Sequence, residues 1–229
     1  MLKLIQLEMK KQKLGWYVRG AGIAIIIISF FMWLMPYAED NGEPTFTSYA
    51  DALSIGGLFV RAVFIVFGSV LLSRFIIDEY KTKTVSVMFT YPIARKKLIM
   101  AKMLLILFLI LVTMIIATVI VSLVFLAVNS HYHFLPGKPD GTVLLHMGIQ
   151  LFIQTLSAAG ISLIPLYFGM RKKSVPTTIV SSVILMGLLS SSNKGYTLSS
   201  SVTIPLILGI IGFLVAYLSF RNVDKADIV

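Results

Sequence analysis

Six apolar stretches dominate this 229-residue chain: Trp16–Tyr37, Leu53–Ile77, Leu98–Val128, Val143–Met170, Val175–Ser190 and Ser201–Phe220. A helix of about 20 residues, rising about 1.5 Å per residue, crosses the roughly 30 Å hydrocarbon core of a bilayer. The pattern therefore predicts an all-α integral membrane protein with six transmembrane helices. The fifth stretch is the shortest and carries Thr177, Thr178, Ser181 and Ser182, so a tilted or re-entrant segment, and five crossings, is the alternative. With 57% of residues hydrophobic and 13% charged, where a soluble domain carries about a quarter charged, a water-soluble enzyme is excluded. There is no cysteine, so disulfides, thiolate metal sites and a cysteine nucleophile are absent together.

The net charge of +10, from 20 basic and 10 acidic residues, is unevenly placed. Lys3, Lys10, Lys11, Lys13, Arg19, Arg74, Lys81, Lys83, Arg95, Lys96, Lys97, Lys102, Arg171, Lys172, Lys173, Arg221 and Lys225 all fall on alternate loops and termini. Lys138 and Lys194 lie on the other face, and Arg61 lies within a span. Positive juxtamembrane charge stays on the cytoplasmic side. Both termini are therefore expected in the cytoplasm, which requires an even number of crossings and favours six. The excess charge then faces anionic membrane lipid, and no nucleic-acid partner is expected.

On this reading the whole of 1–229 is one transmembrane domain. Residues 1–15 form a cytoplasmic amphipathic segment on the headgroups, 16–77 hold spans one and two, and 78–97 a cytoplasmic loop; 98–220 hold spans three to six and 221–229 a cytoplasmic tail. The first apolar run follows lysines but is too long for a signal peptide, and no A-x-A cleavage site follows it, so it is expected to remain as a span. The 78–97 loop opens acidic, ends basic, and carries Val85, Met88 and Phe89 at i, i+3, i+4, the spacing of a short amphipathic helix that Pro92 then ends. An apolar face in a loop needs a partner, either headgroups or another protein.

No G-x-x-x-x-G-K-[ST] phosphate loop occurs, and the only Gly-Lys pair, Gly137–Lys138, precedes a proline. H-E-x-x-H and G-x-S-x-G are also missing. No carboxylate pair lies inside the spans, as proton-driven pumping usually needs. Uphill transport by this chain would take its energy from another subunit.

Glu79-Tyr80-Lys81-Thr82-Lys83-Thr84, then Tyr91-Pro92-Ile93-Ala94-Arg95-Lys96-Lys97-Leu98, then Lys102, resembles ABC-2-type transporter permeases. In that pattern an acid after span two precedes a basic-Gly-Thr step, an apolar helix, a Pro-x-[Ser/Ala]-Arg turn and a lysine early in span three. Glu79, Thr84, Pro92, Arg95 and Lys102 match, whereas Lys83 stands where the family usually has glycine. The small size resembles bacterial permeases of bacitracin-resistance, lantibiotic-immunity and toxin-peptide export systems.

The resemblance implies that Glu79 to Arg95 is a short cytoplasmic coupling helix docking on a separate ABC ATPase subunit. Val85, Met88 and Phe89 would form its apolar centre, and Glu79, Lys81, Lys83, Thr84, Pro92 and Arg95 its frame. It further implies a homodimer or a pairing with a sister permease in the bacterial cell membrane. No cofactor would be bound directly, ATP and Mg sitting on the partner subunit, and the cargo would be peptide-like. The chain would catalyse no covalent chemistry. A stand-alone channel or secondary carrier is the alternative, and an intramembrane hydrolase would need convergent acids, histidines or serine that the spans do not supply.

Arg61 is the clearest intramembrane ion. It either snorkels to the outer headgroups or faces inward, to pair with Asp51 or meet an anionic cargo group. His146, Gln150 and Gln154 at i, i+4, i+8, with Ser157 beyond, make a polar stripe on span four. That stripe serves interhelical hydrogen bonds or lines an export path. Pro165 below it is a candidate kink, and Gly209, Gly212 and Ala216 are candidates for close helix packing. His131-x-His133 offers two ligands, too few for a metal site. Glu39, Asp40, Glu43 and Asp51 make the first outer loop acidic, either as ordinary solvated charge or as an attractor of cationic peptide.

Overall fold

The computed structural model describes residues 9, 14–37, 46–78, 95–135, 141–190, 192–193, 196–197 and 202–221. The described part is helical except for one small hairpin. Helix α1 spans Leu14–Leu34 and ends in a 3-10 turn, Met35–Tyr37; α2 spans Tyr49–Leu72 and runs into a π-helical turn, Ser73–Ile77. Helix α3 spans Arg95–Tyr132, α4 Gly141–Ile161, α5 Ile164–Lys172, α6 Val175–Ser190 and α7 Thr203–Arg221. Strands β1 (Ser192–Asn193) and β2 (Tyr196–Thr197) pair antiparallel, Ser192 opposite Thr197.

Four stretches are long and apolar enough to cross a membrane: Gly15–Tyr37, Tyr49–Ile77, Leu98–Tyr132 and Gly141–Lys172. The 16 residues of α6 extend about 24 Å, and α7 is also shorter. Contacts show that the successive stretches α1, α2, α3, α4–α5, α6 and α7 alternate in direction. Tyr17 at the start of α1, Phe75 at the end of α2, Lys102 near the start of α3 and Gly169 in α5 meet at one end. Arg19, Arg74, Arg171, Lys172 and Lys173 are exposed around that end. At the opposite end Tyr37, Tyr132 and Phe134 share edge-to-face and stacked ring contacts, as in the aromatic belt of a membrane interface. Ser157 and Gly160 of α4 meet Gly209 and Gly212 of α7 in parallel order, so α7 ends where α1 begins, at the basic end.

Helix α2 is the axis of the bundle, packed by α1, α3, α4, α5 and α6. Its start is set by Ser48, whose hydroxyl accepts the Asp51 N–H at 3.1 Å, while the Asp51 carboxylate accepts from Thr47 N and Oγ1 at 3.3 Å each. That reciprocal cap satisfies helix-end donors and places an acid in the first turn. By contrast α1 buries one stripe, Ala21, Ile25, Ile28 and Met32, and exposes Trp16, Ile26 and Phe30. Exposed apolar side chains are what a helix facing lipid presents.

Pro165 breaks the fourth apolar stretch as its position predicts. Lacking an N–H, it cannot continue the i−4 ladder. The chain tightens there, with Leu163 N bonded to Gly160 O and Leu166 N to Leu163 O, both at 3.1 Å, and α5 restarts at Ile164. A second corner follows at Lys173, which takes left-handed φ 46° and donates its N–H to Gly169 O, folding α6 back against α5.

Candidate functional site

A guanidinium is too costly to leave facing hydrocarbon, and Arg61 turns into the bundle, where it is 4% exposed. Its Nη1 donates to Oε1 of Gln154, joining α2 to α4 across the core. The reading that paired Arg61 with Asp51 is replaced by this contact: Asp51 is engaged in the cap described above, about 15 Å further along the same helix. Gly57, one turn before Arg61, has no room for a side chain against Leu151 and the guanidinium.

The polar stripe on α4 enters the bundle gradually. His146 is exposed, Gln150 half-buried, Gln154 buried and Ser157 buried. Only Gln154 of the four meets Arg61 in a described hydrogen bond, while Ser157 Oγ returns to its own helix at Ile153 O, 2.9 Å. On the neighbouring face Thr155 Oγ1 lies 3.5 Å from Thr118 Oγ1 of α3. These two threonines line a groove of about 260 Å³ between α3 and α4, together with Val119, Leu123 and Phe152.

Glycines put α4 and α7 in backbone contact. A Cβ on Gly212 would overlap the carbonyl oxygen of Gly160, and one on Gly160 would stand 2.6 Å from Gly209 O. The expectation that Gly209, Gly212 and Ala216 permit close approach agrees with this geometry, Ala216 being fully buried. Small residues let helices gain dispersion contact where lipid offers no hydrophobic driving force.

Glu79, Lys81, Lys83, Thr84, Val85, Met88, Phe89 and Pro92, the residues expected to couple to an ATPase, lie outside the described residues. Their two anchors are described: α2 and its π turn end at Ile77–Asp78, where Asp78 pairs with Arg74 at 4.0 Å, and α3 begins at Arg95. Residues 79–94 between these anchors, most of the expected 78–97 loop, lie outside the described residues. Lys102 is 3% exposed and its Nζ donates to Phe75 O at 3.5 Å.

Sequence reasoning missed two features. Asn129 donates to Tyr49 Oη at 2.8 Å and accepts from Leu135 N at 2.9 Å, pinning the ends of α2 and α3 together. Ser69 and Ser182 share a hydroxyl hydrogen bond of 2.8 Å between α2 and α6. Their only signal was position: each is a polar residue on the buried stripe of its helix. His131 and His133 form no larger donor set, since no group of three or more His, Cys, Asp or Glu among the described residues could hold a metal.

A family model for "ABC-2 family transporter protein" matches residues 4–188. The chain is 45% identical to "Uncharacterized protein YcbO" of Bacillus subtilis (strain 168) over 227 residues, covering 99% of this chain and 100% of that protein. No solved structure matches. The matched region runs from residue 4 nearly to the end of α6 and contains the Arg61–Gln154 pair, the π turn and Lys102, so the chain belongs to the ABC-2 transporter permease family, a multi-pass bacterial membrane protein that is the membrane component of an ABC transporter.

Proposed function

We propose that this protein is the transmembrane half of an ATP-driven exporter of amphipathic or antimicrobial peptides. Six spans place both termini and the exposed basic end in the cytoplasm. Two copies, or one copy and a sister permease, stand over a pair of ABC ATPase subunits that hold ATP and Mg. The observation that carries this reading is where the helices flanking 79–94 stop and start. The central helix α2 with its π turn ends, and the long helix α3 begins, at the end of the bundle ringed by Arg19, Arg74 and Arg171–Lys173. A soluble motor gripping Val85, Met88 and Phe89 inside a rim of Lys81, Lys83 and Arg95 moves the helix that touches the most neighbours.

The translocation path follows α2 and α4, from His146 and Gln150 at the aromatic end to Gln154 and Arg61 in the core. The acidic residues Glu39, Asp40, Glu43 and Asp51 favour a cationic peptide at that end, and Arg61 favours a carboxylate within the path.

Affinity purification from the native host tests the assembly: an ABC ATPase co-purifies with the parent chain and is lost on charge reversal by Glu79→Lys with Arg95→Glu. Recovery of the chain with no ATPase, together with solute flux in ATP-free vesicles, overturns the reading in favour of a channel or carrier. Orientation is tested separately, since the chain has no cysteine. A membrane-impermeant maleimide labels Ser130→Cys in intact cells and spares Lys173→Cys; the reverse pattern places the basic end outside and removes the proposal. Deletion of the gene sensitises cells to amphipathic cationic peptides, and a sensitivity confined to small drugs or ions refutes the peptide assignment.

A further inference from the structure

The last turn of α2 is unlike the rest of the helix. Ser73–Ile77 wind as a π turn, a local insertion that recurs at functional sites, and Phe75, Ile76 and Ile77 are almost completely buried. Four other helices hold this one turn. Tyr17 of α1 meets the Phe75 ring edge-on, with centroids 5.2 Å apart. Lys102 of α3 donates to the Phe75 carbonyl. Ile77 fills a notch formed by Gly169 of α5 and Thr178 of α6, so close that a side chain at 169 would overlap both. A buried ammonium needs acceptors, and a turn that exchanges i+4 for i+5 bonding offers its carbonyl to a side-chain donor.

The remaining helices, α4 and α7, are joined to each other by their glycine contact. The break at Ser162–Leu163 separates α4 from α5, which touches the π turn through Gly169 and also packs against α7. Arg61–Gln154 joins α2 to α4 about 21 Å up α2 from Phe75.

We propose that Ser73–Ile77 is the joint through which movement of the 79–94 segment enters the bundle, and that Lys102 is its positioning residue. Lys102 keeps the turn attached to α3, so that α3 moves with the turn relative to α4. This inference rests on the exporter reading.

The test uses the intact complex with its co-purified ATPase. Nitroxide labels at Ser130→Cys and Gly141→Cys, at the aromatic ends of α3 and α4, report the distance between these two helices by pulsed dipolar spectroscopy. The expected result is a distance change between the nucleotide-free and the ATP-plus-vanadate states. In Lys102→Met the ATPase still co-purifies and still traps nucleotide, yet the ratio of shifted to unshifted distances falls about tenfold. Lys102→Arg, which keeps a donor, retains most of the shift. Ile77→Ala, which empties the notch and leaves Lys102 untouched, reproduces the loss and serves where Lys102→Met fails to assemble. A full shift in Lys102→Met or in Ile77→Ala overturns the joint, as does a parent complex that traps nucleotide without any shift. Absence of an ATPase from the parent preparation is a different result, and refutes the exporter reading itself.

Discussion

Helices α3 and α4 invert the relation between hydropathy and burial that soluble proteins teach. The α3 stretch is the most apolar of the four membrane-length segments, and 33% of its core window is buried within the protein; the α4–α5 stretch is the least apolar and is 67% buried. Along α3, Leu104, Phe108, Val119 and Leu123 point outward. On α4, Gln154, Thr155, Ser157 and Gly160 point inward. Lipid solvates leucine as well as a protein interior does, so moving it inside gains little, whereas a buried amide or hydroxyl escapes a penalty by finding a partner. On α4 polarity and smallness mark the inward face.

The contrast can be broken by experiment. The largest effect is expected from Gly212→Leu, which drives a side chain into the Gly160 carbonyl, where backbone meets backbone and nothing can rotate away. A loss of about 3 kcal/mol or more is expected, read as failure to recover folded protein in detergent. Gln154→Leu comes next, since it removes an acceptor from a buried guanidinium. About 1–3 kcal/mol is expected by denaturation in mixed micelles, and adding Arg61→Leu restores part of it, because the two residues are coupled. Additive losses would show that the Arg61–Gln154 contact contributes nothing. Ser69→Ala breaks one neutral hydroxyl contact with Ser182 and costs about 0.6 kcal/mol, the mean for such bonds in membrane proteins. Val119→Ala on the lipid face of α3 changes stability by less than about 0.5 kcal/mol. A Val119 effect as large as the Gln154 effect would mean that another protein surface, such as a second copy, covers α3.

Some of this was legible in the chain. Arg61 and Gln154 were readable as polar residues at depth, because an ion inside an apolar run has to face protein or water. Pro165 was readable as a break and Gly212 as a close approach, since both act through the backbone. What could not be read was which partner each residue meets. Arg61 had Asp51 ten residues away as a visible candidate, and the helix cap withdrew it. His146 and Gln154 share one sequence stripe, yet the bundle curves away from the first and closes over the second. Asn129 looked like the start of a loop and proved to be a buried clasp.

By itself the sequence determined that the chain is a helical membrane protein with its positive charge gathered on one side, because hydrocarbon admits so few backbone arrangements that length and apolarity nearly decide the outcome. Only the tertiary structure decided that α2 is the axis, that α4 and α7 touch through glycine, and that the turn at Ser73–Ile77 is gripped by four helices. Those choices depend on shape and pairing between residues far apart in the chain, and lipid-facing and protein-facing apolar residues carry the same hydropathy.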